Sequence, residues 1–308
     1  MNIVIDSTPA ISTASGQGTK PALARLRPLA NRAALFAIIL ASSMAVFLLG
    51  PNYYALFSTN GNIAYAASIS AVFLAAAVLL KRSKTLNTYW GIAYAFFIAS
   101  VVNLISHLFS GYNTDFVKLF GTMSDPNKVD GIAKVYDTLL VVTPILVLTA
   151  ISGADLGSLF LKIGNQYWKW GVGIGALIMV DFFTSALIFF GSGYALPRLG
   201  SAILWGFVFS LSNSLLEELW IRGLFLKKYV PLLGATGAVI VTSITFGLVH
   251  FLGVAYLSPA VVPIFVVNTL VMGVACGILM LKTDSIWGAY LIHAAADIFL
   301  FIATLAAH

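Results

Sequence analysis

Six ionisable side chains in the second half of the sequence lie in stretches that are otherwise apolar. They are Glu217, Glu218, Arg222, His250, His293 and Asp297. The first two are the only glutamates among 308 residues, and they stand side by side in SLLEELWIRGLF. A charged side chain in the middle of a membrane costs about 2.5–3.5 kcal/mol on insertion scales, so such residues are functional candidates by default. Carboxylates and imidazoles together provide general acid and base groups.

Helical spacing sorts these residues into pairs. Residues four apart lie on one face of an α-helix, so Glu218 and Arg222 are expected to form an ion pair, with the acid N-terminal to the base. Glu217 is rotated about 100° from Glu218, which leaves it outside that pair and suits it to general base catalysis. His293 and Asp297 are also four apart, and a carboxylate one turn away orients an imidazole.

The elements that must position these residues are membrane-spanning helices. The chain is 60% hydrophobic and only 9% charged, with a mean hydropathy of +0.96, whereas soluble domains carry roughly 25% charged residues. Apolar runs of the length needed to span a bilayer, about 20 residues, recur along the chain. The sequence therefore predicts an all-α, polytopic membrane helix bundle with about nine transmembrane helices, and no nucleic-acid partner. The predicted spans are 33–50, 62–80, 88–110, 134–152, 170–190, 200–226, 235–256, 260–281 and 285–305.

Three of these spans carry the candidate residues at similar depths. With a rise of 1.5 Å per residue, Glu217 lies ~15 Å from the inner end of its span, His250 ~22 Å into the next span and His293 ~12 Å into the last. This predicts a buried polar site built by three helices. Taken singly, His250 is more typical of a histidine packed in the core, and Glu218 with Arg222 of a structural ion pair.

The distribution of charge predicts the topology. Of the 17 Lys and Arg residues, 13 fall on the side of the N-terminus and 4 on the other, which places the N-terminus in the cytoplasm. Residues 1–32 are expected to form a flexible, basic cytosolic tail near anionic lipid headgroups. Residues 33–152 form N-terminal transmembrane helices, and 153–308 carry the candidate site.

Three motifs in this last region resemble one known family. EELWIR fits E-E-x-x-x-R, FGLVH (Phe246 to His250) fits F-x-x-x-H, and HAAAD (His293 to Asp297) fits H-x-x-x-[N/D]. In this order, the motifs resemble those of the CPBP family of intramembrane proteases, which includes type II CAAX prenyl endopeptidases and bacteriocin-processing or immunity-associated proteins. The stretch DLGSLFLKIGN (155–165) is similar to bacterial members. The resemblance covers about 155–305.

The resemblance implies an intramembrane endopeptidase whose site opens toward the cytoplasm. Its substrate would be a membrane-associated peptide or protein, for example a prenylated or leader-bearing one, and its location the lipid bilayer of a bacterial plasma membrane. Glu217 would activate the attacking water, His250 would bind that water, and His293 with Asp297 would stabilise the oxyanion. Three further residues would support them: Glu218, Arg222 and Phe246.

Two features of the motifs bear on the mechanism. Prenyl-protein proteases typically have Asn where this chain has Asp297, and an ionised Asp cannot donate to an oxyanion. Asp297 must then be protonated or serve to orient His293. If the enzyme were a metalloprotease, Glu217, His250 and His293 would be the zinc ligands, but there is no H-E-x-x-H motif. Glu218, already paired with Arg222, would then be the only other glutamate for the base. The resemblance is compatible with both types, and this shortage of glutamates favours a metal-free, glutamic type with no certain cofactor.

Two other functions fit the same residues. One is a non-catalytic membrane protein on this fold, acting in immunity or as a scaffold. The other is a proton-coupled transporter that uses carboxylates and histidines as a relay. A protease should place Glu217 and His250 within one water molecule of each other in a cavity, whereas a transporter should continue the polar residues to the far side.

Overall fold

The structure is a computed structural model that describes residues 22–51, 56–190, 196–253 and 262–306. Within these ranges every regular element is helical. The α-helices are α1 (Ala22–Ser43), α2 (Thr59–Arg82), α3 (Trp90–Phe109), α4 (Asn113–Lys118), α5 (Pro126–Ile151), α6 (Trp168–Phe190), α7 (Leu196–Glu217), α8 (Leu226–Gly253), α9 (Val262–Thr283) and α10 (Trp287–Ala306). Two π-helical turns, Met44–Leu49 and Glu218–Gly223, directly continue α1 and α7.

Eight helical segments in the described part of the chain are long and apolar enough to cross a membrane. They are Asn31–Leu49, Thr59–Arg82, Asn87–Lys118, Pro126–Ile151, Trp168–Phe189, Arg198–Gly223, Leu226–His250 and Phe265–Thr283. A shorter apolar stretch, Trp287–Ile302, stands where the ninth span is predicted. The predicted polytopic all-α bundle is confirmed, with eight full-length segments and this shorter one.

Several helix ends differ from the predicted bounds. The first helix begins at Ala22, inside the predicted tail, whose residues 1–21 lie outside the described residues. The fourth predicted span starts earlier, at Pro126, because Asp125 caps the helix by accepting a hydrogen bond from the Asn127 N–H at 3.1 Å and a proline suits the first helical position. The predicted end of the seventh span also falls partly outside the described residues.

Helix α10, which carries two of the candidate residues, packs against α6, α7 and α9. Its contact with α6 is made through glycines. A Cβ added to Gly288 would lie 2.7 Å from the backbone of Gly171, and one added to Gly175 would lie 2.8 Å from the Gly288 carbonyl oxygen. Small residues let membrane helices approach this closely, so these glycines fix the position of α10 against α6.

The N-terminal helices share a hydrophobic core with the region that carries the motifs. Phe47, in the first π-helical turn, makes edge contacts with Trp220 and Phe225 at centroid distances of 5.0 and 5.8 Å. The ring centroids of Phe96, in α3, and Phe225 lie 4.7 Å apart. Aromatic pairs of this geometry stabilise a core beyond the area they bury. The second π-helical turn therefore packs against the N-terminal helices.

A turn between α9 and α10 ties three connections together. Asp284, in the left-handed region at φ 53°, pairs with Lys162, and its Oδ1 accepts a hydrogen bond from Lys227 Nζ at 2.6 Å. Burial raises the pKa of Asp284, but the hydrogen bonds and charges of the two lysines outweigh that effect and lower it below its usual value. The turn holds the start of α10 against the start of α8.

Candidate active site

The two glutamates face different environments because they are adjacent on one helix. Glu217 ends α7 and Glu218 opens the π-helical turn. The Glu217 side chain keeps 19% of its surface exposed, whereas Glu218 is fully buried. The turn is closed by the wider hydrogen bond from the Leu224 N–H to the Leu219 carbonyl, at 3.0 Å. Such π-helical turns occur frequently at functional sites.

Glu218 is hydrogen-bonded to two basic side chains in the buried interior. Its Oε1 accepts hydrogen bonds from Arg222 Nη1 and from His293 Nδ1, the latter at 2.9 Å. All three side chains are fully buried. The guanidinium of Arg222 also lies over the Phe246 ring, 4.3 Å from its centroid, a favourable cation–π distance. The predicted Glu218–Arg222 ion pair is therefore present, and it extends across to α10.

The orientation of His293 differs from the sequence-based expectation that Asp297 would set it. Asp297 Oδ1 lies 3.7 Å from His293 Nε2, beyond a hydrogen bond, whereas Glu218 is bonded to Nδ1. Because an ionised carboxylate can only accept, Nδ1 carries the proton in that bond. The nitrogen that is left over, Nε2, faces Glu217 Oε2 at 3.7 Å.

His250 is fixed in the same way from the other side. Its Nδ1 lies 2.9 Å from the Phe246 carbonyl oxygen, and a carbonyl can only accept, so Nδ1 donates. Its Nε2 is then directed at Glu217 Oε2, 3.4 Å away. Among the described residues Glu217 Oε2 and His293 Nε2 have no hydrogen-bond partner. One carboxylate oxygen and two imidazole nitrogens therefore converge on a single point.

An asparagine that was not among the predicted site residues joins this arrangement. Asn213 Nδ2 lies 3.2 Å from Glu217 Oε1 and 3.0 Å from Asp297 Oδ2. It stands one helical turn before Glu217, so its i, i+4 spacing was the available signal. The partner on α10 could not be read from that spacing, because periodicity does not identify which helix a face meets.

The converging groups lie on the wall of a cavity of about 840 Å³. Helices α6 to α10 contribute most of its lining, with aromatic and aliphatic side chains such as Phe182, Phe265 and Ile292. The lining also reaches Asp130, close to the start of α5. With a cytoplasmic N-terminus and three preceding spans, this end of the bundle is the predicted extracytoplasmic one, whereas the resemblance implied a site that opens toward the cytoplasm. A largely apolar cavity with a few convergent polar groups is typical of a ligand or active site.

The same three side chains fit a metal ion. One ligand atom each from Glu217, His250 and His293 lies within 4.8 Å of the others, and tetrahedral zinc with bonds of about 2.0–2.1 Å sets its ligand atoms ~3.3 Å apart. Both imidazoles are anchored through Nδ1, as metal-binding histidines usually are. The donor set thus fits zinc, with Glu217 serving as a ligand.

Fold and site together define a polytopic membrane protein with an acid–base site buried between its helices. Residues 199–299 match the family model described as type II CAAX prenyl endopeptidase Rce1-like, and this stretch contains every predicted site residue. This match supports membership of the CPBP family and confirms the resemblance over residues 199–299. The family implies protease activity on a membrane-associated protein. No curated protein and no solved structure gives a significant match.

Proposed function

We propose that the chain is an intramembrane endopeptidase in which Glu217 is the general base. The observation that carries this proposal is the convergence of Glu217 Oε2 with the Nε2 atoms of His250 and His293, at 3.4 and 3.7 Å, on the wall of a cavity. The substrate is a peptide segment of a membrane-associated protein that enters this cavity.

In the proposed reaction a water molecule binds between Glu217 and His250. Glu217 Oε2 takes one proton of the water, and His250 Nε2 accepts a hydrogen bond from the other, so the water oxygen attacks the peptide carbonyl carbon. The C–O bond forms as the carbonyl becomes an oxyanion. Glu217 then passes its proton to the amide nitrogen, the C–N bond breaks, and a carboxylic acid and an amine leave. General base catalysis of this kind contributes about 10²–10⁴-fold in rate.

His293 is the proposed stabiliser of the oxyanion. The Glu218 carboxylate on Nδ1 stabilises a positively charged ring, and a charged ring donates from Nε2 into the cavity. Asp297, 3.7 Å from the same nitrogen, adds negative charge that favours this form of His293. In this proposal Asp297 acts through the imidazole and does not itself contact the oxyanion.

We favour the metal-free, glutamic mechanism. If zinc were bound, Glu217, His250 and His293 would hold it, and it would polarise water and the peptide carbonyl as a Lewis acid. Glu217 would then be a ligand and not a base. Glu218, the chain's other glutamate, is already bonded to Arg222 and His293 in the dry interior, so it could not take the proton from the water.

The test is a quantitative comparison of new peptide termini in membranes that carry the wild-type chain or Glu217→Gln at equal levels. Gln keeps the shape of Glu and can still accept the hydrogen bond from Asn213, so the fold is expected to survive. Termini produced only by the wild type would support proteolysis and identify the substrate. Identical profiles in a host that supplies its membrane proteome would contradict the proposal and favour a non-catalytic, immunity or scaffold role.

A second candidate is a proton-coupled transporter. The observation that favours it is the polar lining at Asn213 and Asp130, which continues from Glu217 toward the far end of the bundle. Proton flux into liposomes that contain the purified protein tests this candidate. Flux that is lost in Asp130→Asn, together with unchanged peptide termini, would favour transport over proteolysis.

We further propose that the N-terminus is cytoplasmic and that the membrane is a bacterial plasma membrane. The bias of Lys and Arg toward the N-terminal side supports the orientation. On this proposal residues 1–32 form a cytosolic segment, 33–152 accessory helices, and 153–308 the protease core. Labelling of single cysteines placed on either side of the membrane in whole cells checks the orientation.

A further inference from the structure

We propose that Asn213 is a positioning residue of the proposed protease, because its amide holds the carboxylates of Glu217 and Asp297 in the orientation that the reaction needs. This inference rests on the proposed function. It is carried by two contacts of one nitrogen: Asn213 Nδ2 lies 3.2 Å from Glu217 Oε1 and 3.0 Å from Asp297 Oδ2. The bridge joins α7 to α10 at the wall of the cavity.

An amide nitrogen is suited to this position because it carries two hydrogens and no charge. The two carboxylate oxygens lie within about 6 Å of each other, since each is about 3 Å from the same atom. Two carboxylates at this separation in a poorly solvated site repel each other. Each hydrogen of the amide can bond one of them, so one side chain separates the two acids and fixes both.

The bridge also determines which oxygen of each acid faces the histidines. With Oε1 of Glu217 bonded to Asn213, Oε2 is the oxygen left for His250 and His293. With Oδ2 of Asp297 bonded to Asn213, Oδ1 is the one directed at His293 Nε2. Without the amide the Glu217 carboxylate would be free to rotate, and its reactive oxygen would leave the point where the two imidazoles meet.

The chemistry of the pair allows a sharp test by exchange. Asn213→Asp alone places three carboxylates together with no amide. Adding Asp297→Asn places an amide opposite the new carboxylate at position 213 and restores a contact between α7 and α10, but Glu217 Oε1 still faces a carboxylate in place of an amide. A displacement of about 1 Å costs about 10²-fold in rate, so we expect Asn213→Asp to lower kcat by about 10²-fold with little change in KM. The double variant should recover stability, and its kcat should stay below that of Asp297→Asn by a similar factor.

The rates are measured with the peptide that the comparison of termini identifies. The midpoint of unfolding in detergent micelles is measured for the wild type, Asn213→Asp, Asp297→Asn and the double variant. A double variant as fast as Asp297→Asn would overturn the positioning role, as would a loss in rate that only follows a loss in folded protein. The unfolding midpoints test the bridge without any substrate. If the changes in unfolding midpoint caused by Asn213→Asp and by Asp297→Asn simply add in the double variant, the amide does not join the two acids.

These two measurements separate the failure of this inference from the failure of the proposed function. A wild-type protein that cleaves no peptide refutes the protease, and the positioning role falls with it, whatever the stability data show. An active wild type with an unaffected Asn213→Asp variant refutes the positioning role alone. A double variant that regains stability but stays slower than Asp297→Asn supports the inference, because a merely structural contact between α7 and α10 would restore both together.

Discussion

Removing the charge of Glu218 should destabilise the fold more than removing Arg222. Glu218→Gln keeps the size of the side chain but leaves the Arg222 guanidinium without an anion at full burial. Breaking a buried ion pair by removing one partner costs about 3–5 kcal/mol, and we expect a loss in this range. Arg222→Met should cost less, because Glu218 keeps His293 as a hydrogen-bond partner at 2.9 Å and an imidazole can take up a proton.

The double variant Glu218→Gln/Arg222→Met isolates the interaction. It leaves neither charge in the interior, so its cost should be smaller than the sum of the two single costs by about 1–3 kcal/mol. Unfolding is followed in mixed detergent micelles as the fraction of denaturing detergent is increased. Asp115→Asn is the control, because Asp115 and Lys118 form an exposed pair three residues apart, and such pairs contribute less than about 1 kcal/mol. Additive costs, or a larger loss for Arg222→Met, would refute this account of the pair.

Three other perturbations give expected outcomes. Gly273→Ala should destabilise by about 1–3 kcal/mol, because its Cβ would lie 3.2 Å from the buried Arg222 Nη2, whereas Gly173→Ala, with nothing within 4 Å, should be neutral or stabilising. Asp284→Asn should destabilise the protein at neutral pH. Because the pKa of Asp284 is lowered in the folded protein, its contribution to stability is present above the unfolded pKa of about 3.9 and disappears as the pH falls through the folded pKa. The difference in stability from the wild type should therefore vanish in acid. A strong zinc chelator should leave the rate of peptide cleavage unchanged.

For each of these three predictions, one result would contradict the reasoning. Equal midpoints of unfolding for the two glycine variants would show that the space beside Arg222 adapts to a methyl group. A difference between Asp284→Asn and wild type that does not shrink as the pH falls below the unfolded pKa of about 3.9 would mean that the lysine contacts do not act through the charge of Asp284. Activity lost to the chelator and restored by zinc alone would make Glu217 a metal ligand and would exclude its role as base.

The local part of the site was predictable from the sequence. The i, i+4 spacing of Glu218 and Arg222 gives their ion pair, because a helix places these residues on one face whatever its surroundings. Hydropathy gives the spans for a similar reason, since a bilayer imposes a length and an apolar composition on each crossing helix. The family motifs were also recognisable, because each lies within one continuous helical stretch.

The contacts between helices were not predictable in this way. The bond between Glu218 and His293 joins residues 75 positions apart, and the bond between Asn213 and Asp297 joins residues 84 apart. Which helices meet depends on packing, such as the close approach of the glycines on α6 and α10. The π-helical turn at Glu218–Gly223 could not be predicted either, because it departs from the 3.6-residue period on which the sequence argument depends.

The site consists of a fully buried layer and a partly exposed one, and His293 belongs to both. Glu218, Arg222 and His293 are fully buried, whereas Glu217 and Asp297 keep 19% and 13% of their side chains exposed. The Nδ1 atom of His293 is bonded in the buried layer and its Nε2 atom faces the partly exposed one. A change in Glu218 therefore alters stability and the orientation of a reactive nitrogen together. A change in Glu217 alters the partly exposed layer, so Glu217→Gln is the variant in which chemistry can be lost while the fold is kept.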